Sequence, residues 1–167
     1  MNALISNFLD FARPLQIHPT TADLKSVFDE VVRQQSELAG SRHVTLAVHE
    51  HPEPLVFTFD PDLLTLALSN LAQNAVQASA AGQEVELRAE ERASDVVILV
   101  SDKGEGIQVE HLENIFNPFF TTKPQGVGLG LAIVSKIVDE HQGHVTVFSQ
   151  PGHGTRFEIT LPKAQQS

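Results

Sequence analysis

The sequence predicts an α+β fold: a two-layer sandwich of a mixed β-sheet with helices on one face. Helical stripes and alternating strands interleave along the chain, and several strands are near neighbours in sequence. That order favours a mixed sheet over a doubly wound parallel one. With 167 residues, 41% hydrophobic and 19% charged, the chain is long enough and apolar enough for one domain with a real core.

The elements follow in order. Met1 to Ala12 carries Leu4, Ile5, Phe8, Leu9 and Ala12 on a helical stripe and stops at Arg13-Pro14. A helix this short is unstable alone, so residues 1–13 read as the end of a longer helix, with a terminal helix folded back on its own domain as the alternative. Residues 14–163 form the domain proper, and 164–167 a polar tail. Leu15 to Thr20 is extended. A helix then runs to about Gly40, with Thr21 as expected N-cap and Leu24, Val27, Phe28, Val31 and Val32 inward. Val44 to Val48 and Leu55 to Phe59 read as strands. Asp60-Pro61 supplies an N-cap and a first-turn proline for the next helix, which closes at Ala80-Ala-Gly82. Glu84 to Arg92 alternates, with Val85, Leu87 and Ala89 in one phase. Val96 to Val100 is apolar throughout, as a buried central strand should be. After an irregular stretch rich in Gly, Pro, Asn and Thr, a helix spans about Gly130 to Gln142. His144 to Ser149 and Thr155 to Leu161 close the domain as strands.

Composition narrows the function. A formal net charge of -10 opposes nucleic acid and anionic lipid. No apolar run approaches the about 18 residues of a membrane helix, and no secretory leader is visible. Cysteine is absent, which removes disulfides and thiolate metal sites and fits a reducing cytoplasm. A polyphosphate ligand would need local attraction: backbone N–H groups, a helix N-terminus, a cation, placed lysines. The eight histidines lack metal-site spacing and read as exposed or structural.

Four segments carry chemistry. On the helix after Asp60, Asn70, Asn74 and Gln77 share one face at about 100° per residue, while Leu64, Leu68, Leu71 and Ala75 share another. That polar face holds neutral amides and no charge. Amide oxygens suit a hard cation such as Mg²⁺ already held by phosphates; an ordinary polar face that happens to lack charge is the competing explanation. Asp102-Lys-Gly104-Glu-Gly106-Ile107 follows the buried strand, where a poorly solvated carboxylate needs donors; a tight turn satisfied by its own loop is the alternative. Asn117-Pro-Phe119-Phe-Thr121-Thr122-Lys123 offers apolar anchors beside phosphate-binding groups, or simply a loop that plugs the core. Gly126-Val127-Gly128-Leu129-Gly130-Leu131 opens the last helix with free N–H groups, but matches neither the dinucleotide nor the Walker pattern.

Together and in this order, ending in Gly152-x-Gly-Thr155-x-Phe-x-Ile-x-Leu-Pro, the set resembles the catalytic, ATP-binding domain of bacterial sensor histidine kinases. These are its N, G1, F and G2 boxes. The wider likeness is to the superfamily of gyrase B, Hsp90 and MutL, with its Bergerat-type ATP-binding fold. Leu9-Asp-Phe-Ala-Arg-Pro14 looks like the end of a dimerisation and phosphoacceptor helix, most like the nitrogen-regulation type. The resemblance implies ATP and Mg²⁺ as cofactors. Asn74 would ligate the metal with Asn70 beside it, and Asp102 would accept from the adenine amine with Thr155 in support. Gly104, Gly106 and Ile107 would bed the ring. Lys123 and the Gly126–Gly130 backbone would hold phosphates under a lid from about Ile107 to Gly128. The hydrolysing relatives carry Glu where Asn70 stands. Asn cannot accept a proton from water, so transfer to a protein nucleophile is favoured. Many kinases of the family place Lys or Arg at Gln77, which puts more weight on Lys123.

No histidine here has the context of the family's phosphoacceptor, so the chain is expected to bind ATP without phosphorylating itself. The implied partners are the dimerisation domain of a homodimeric parent, with both a membrane-anchored and an unanchored parent open, and a response regulator. A nucleotide-responsive interaction module without transfer is the alternative function.

Overall fold

The computed structural model describes residues 12–49, 51–122 and 128–164. Among the described residues the chain forms seven strands and three α-helices: β1 (Thr20–Asp23), α1 (Leu24–Ser41), β2 (Thr45–His49), β3 (Val56–Phe59), α2 (Pro61–Ala78), β4 (Glu84–Glu91), β5 (Asp95–Asp102), α3 (Gly130–Glu140), β6 (His144–Gln150) and β7 (Gly154–Pro162). The main sheet has the order β2-β4-β5-β7-β6, and β1 pairs with β3 in a separate two-stranded sheet. The expected α+β sandwich is present. β5 is the central strand, and α1, α2 and α3 pack over β2, β5 and β6 respectively.

Alternation explains the layering. Val85, Leu87 and Ala89 of β4, Val96, Ile98 and Val100 of β5, and Phe157, Ile159 and Leu161 of β7 all point into one core with Leu64, Leu68 and Leu71 of α2. Each such side chain contributes about 1.5–3 kcal/mol on burial. The helices therefore cover one face of the sheet, and the end of that core decides where a site can form.

One expectation changes. The N-cap of α1 is Asp23, not Thr21. Thr20–Asp23 pairs antiparallel with Val56–Phe59, which keeps the chain extended until the Asp23 carboxylate accepts from Lys25 N–H at 3.0 Å. β2 and β3, neighbours in sequence, lie in different sheets. β2 runs parallel to β4, with Thr45 opposite Glu84, and this pair makes the sheet mixed. β4–β5 and β6–β7 are antiparallel hairpins.

Asp60 caps α2 as expected, accepting from Leu63 N–H at 3.1 Å. It also accepts from His18 N–H at 2.8 Å, tying down the segment that leads into β1. Its own N–H donates to Nε2 of His141 at 3.0 Å, and Nδ1 of His141 bonds the Ile137 carbonyl at 2.8 Å. The carbonyl can only accept, so the Nδ1–H tautomer is fixed. His141 is fully buried, and its role is structural, as expected of these histidines.

The N-terminal stripe from Leu4 to Leu9 lies outside the described residues, as do tail residues 165–167. Lys163 still belongs to the domain: its N–H donates to the Ser94 carbonyl and its ammonium meets Glu91 at 2.8 Å.

Candidate nucleotide site

The inner phase of β5 runs Val96, Ile98, Val100 and then Asp102. At the strand tip a carboxylate replaces the next core side chain. β7 and β6 do the same in register. Thr155 lies opposite Asp102, and Ser149 lies opposite Thr155. The preceding row across these three strands is Val100, Phe157 and Val147. A hydrophobic layer thus ends in a polar row, Asp102–Thr155–Ser149. A groove of about 610 Å³ at this end of the sheet is lined mostly by the opposite, outward phase, including Glu84, Glu86, Ser101, Phe148 and Arg156, and so lies on the face away from the helices.

Asp102 is only 9% exposed. Its Oδ1 accepts from Gly104 N–H at 2.9 Å. Burial pushes its carboxyl above the ordinary aspartate value of 3.8. The N–H groups of Gly104 and Thr155 oppose that rise, and the Glu105 charge adds to it. A carboxylate short of solvent can take a further donor. The loop's own Gly104 N–H therefore meets only part of its need.

The sign of the linkage follows. Between 3.8 and the raised value the folded state holds a proton that the unfolded chain has released. Asp102 thus favours folding most on the acid side of that window and less as pH rises through it. Asp102→Asn removes this term. Thermal melts across the window are expected to show a stability loss with rising pH that is smaller in the variant than in the unchanged protein.

The loop after Asp102 leans on two neighbours. Glu105 N–H donates to the Ala78 carbonyl at the end of α2 (3.2 Å), and Gly152 N–H donates to the Glu105 carbonyl (2.7 Å). A Cβ on Gly104 would lie 2.2 Å from the Ala78 oxygen. One on Gly106, at φ +75°, would lie 2.1 Å from the Gln150 oxygen. The close approaches that exclude side chains here are thus to the protein's own backbone. Ile107 N–H donates to Ser149 Oγ at 2.8 Å, which sets the exit of the loop.

On α2, Asn70, Asn74 and Gln77 are half-buried, while Leu64, Leu68, Leu71 and Ala75 are buried, so the two faces fall as the periodicity predicts. Asn70 meets the glycine segment directly: a Cβ on Gly130 would stand 3.6 Å from Asn70 Oδ1. The amide face of α2 therefore adjoins the N-terminus of α3, where Gly130 is the first helical residue and backbone N–H groups lack intrahelical partners. Leu129 is buried beneath, and Leu131 is half-buried.

The intervening segment is anchored differently from expectation. Ile115 is buried, Phe116 meets Phe157 edge-on at 6.2 Å, and Phe120 meets His111 at 5.5 Å. Phe119 is 42% exposed. It adopts φ +68°, a left-handed conformation costing about 1–2 kcal/mol in a non-glycine residue. Its N–H donates to the Gly128 carbonyl at 2.8 Å, which holds that turn. Thr121 and Thr122 are exposed. Lys123, Gly126 and Val127 lie outside the described residues. Among the candidates, Asp102, Gly104, Gly106, Ile107 and Thr155 come together, as do Asn70 and Gly130.

Ser149 is the member of the site not anticipated. It continues the Val145–Val147 phase, and that alternation was its available signal. His49 approaches Glu86 at 3.6 Å beside Glu84, on the exposed edge of the sheet away from the helices.

Residues 59–165 match the family model described as histidine kinase-, DNA gyrase B-, and HSP90-like ATPase. The chain is 36% identical over 162 residues to the sensor histidine kinase ZraS of Escherichia coli K12, covering 97% of this chain and 35% of that protein. It therefore spans about a third of that relative's length. The nucleotide-free catalytic domain of histidine kinase ThkA superposes with TM-score 0.79 at 30% identity, over 88% of this chain and 99% of that one. ThkA in complex with response regulator protein TrrA gives TM-score 0.81 at 27% identity, over 96% and 46%. Full-length ShkA in complex with AMPPNP gives TM-score 0.87 at 29% identity, over 99% of this chain and 36% of that one.

Proposed function

Because the chain belongs to the histidine kinase-, DNA gyrase B-, and HSP90-like ATPase family, we propose that it is the catalytic domain of a sensor histidine kinase. It binds Mg-ATP for transfer of the γ-phosphoryl group to a histidine on a dimerisation domain of the parent protein. A response-regulator aspartate is the later recipient. The observation that carries this is the buried Asp102 at the tip of the central strand, in a row of hydrogen-bonding groups whose following loop is bonded to the end of α2.

The residues fit the ligand. Asp102 is desolvated, so an exocyclic amine is a matched donor. Asn74 offers a neutral amide oxygen for a hard cation, and Asn70 sits against the helix terminus that would face phosphate. When bound, Mg-ATP supplies the transferable phosphoryl group. The chain supplies orientation and placed dipoles, the main levers in such transfers. Asn70 cannot take a proton from water, which favours transfer over hydrolysis. Lys123, Gly126 and Val127 are assigned to the phosphates by resemblance. The parent acts as a homodimer, with this domain on the cytoplasmic side. Among the described residues no helix is long and apolar enough to cross a membrane.

The test is phosphorylation in trans. The chain with Mg-ATP is expected to label the histidine of an added phosphoacceptor domain from its parent. Absence of label at nucleotide saturation would favour an interaction module, and steady phosphate release by the chain alone would favour a hydrolase.

A further inference from the structure

Three contacts converge on one hydroxyl of β6. Ser149 Oγ accepts from Ile107 N–H at 2.8 Å, lies 3.0 Å from the Gly154 carbonyl, and lies 2.8 Å from Thr155 Oγ1. A hydroxyl has one proton and two lone pairs. The Gly154 oxygen can only accept, so that contact takes the Ser149 proton. The contact with Thr155 must then run the other way, with the threonine hydroxyl donating to Ser149. This allocation satisfies all three contacts and fills the hydrogen-bonding capacity of Ser149. It also commits the Thr155 proton to Ser149. Thr155 is left to face a ligand with lone pairs alone, next to the Asp102 carboxylate, which also only accepts when ionised.

We infer that Ser149 is a positioning residue for base specificity: it turns Thr155 into an acceptor, so that the Asp102–Thr155 pair selects a purine edge that donates. This rests on the proposal above that Asp102 receives adenine. An exocyclic amine at the purine 6-position satisfies such a pair, whereas a 6-carbonyl places oxygen against oxygen. Without the Ser149 hydroxyl, the Thr155 proton is free to turn toward a base and serve a carbonyl.

The test compares ADP and GDP affinities by calorimetry for the 167-residue chain and for S149A, S149T and S149V, with thermal melts to show that each is folded. Ser149 is only half-buried, and Thr and Val are matched in shape and suited to a strand. S149A and S149V are expected to reduce the ADP-over-GDP preference about tenfold, the order of one neutral hydrogen bond. S149T, which keeps the hydroxyl, is expected to retain it. A purely structural role would weaken both nucleotides alike and leave the ratio unchanged. An unchanged ratio in S149V relative to S149T overturns the inference. D102A separates the two levels: if it leaves ADP affinity intact, the adenine assignment itself fails. If it weakens ADP while the serine variants keep the ratio, only the role of Ser149 fails.

Discussion

Asp102→Ala is expected to weaken ADP binding about ten- to a hundredfold. A hydrogen bond to a charged group contributes about 1.5–3 kcal/mol, and about 1.4 kcal/mol is a factor of ten. The position makes this effect separable from misfolding. Asp102 ends the inner phase of β5, beyond Val100, and its carboxylate is met by the backbone N–H groups of Gly104 and Thr155. The strand pairing of Asp102 with Thr155 uses backbone groups, which the substitution leaves in place. Burial raises the carboxyl pKa, so the charged side chain is a cost to the free fold at neutral pH. The variant should therefore melt close to the unchanged protein while losing nucleotide. Calorimetry that returns the original ADP affinity would remove Asp102 from the site.

Asn74→Ala is expected to lower Mg-ATP-dependent transfer to an added phosphoacceptor domain by about ten- to a hundredfold or more. Losing even an outer-shell partner of a metal costs that much. Nucleotide affinity measured without magnesium should change little. Alanine is the better helix former, by at most about 0.7 kcal/mol, so α2 should survive the change. The contrast between the two assays isolates the amide oxygen. Equal transfer rates with and without Asn74 would show that the amide face serves packing alone.

Much of this arrangement was legible in the residues. Asp60-Pro61 marked the start of α2, and strict alternation in β4 put Val85, Leu87 and Ala89 inward, as found. The apolar run before Asp102 identified the central strand, and so where a desolvated carboxylate would stand. Such features depend on local periodicity and capping. The rest depends on pairing between distant segments. Nothing in Thr45–His49 says that it lies parallel to β4, because its alternation would suit either direction. Thr21 loses the cap to Asp23 because β3, more than 30 residues later, holds the chain extended. His141 meets Asp60 across 81 residues of chain. Ser149 looked like one more polar strand residue until register set it opposite Thr155. Adjacent Phe119 and Phe120 looked equivalent, yet the left-handed turn at Phe119 leaves it exposed while Phe120 packs against the core.

Backbone amide shifts of the isotopically labelled chain, recorded as Mg-AMPPNP is added, address the pocket most directly. Saturable changes should centre on Asp102 to Ile107, Ser149, Thr155, Asn70, Asn74 and Gly128 to Leu131. Changes confined to the distant groove between α1 and the β2–β3 connection, around Phe28 and His51, or none at millimolar nucleotide, would contradict it.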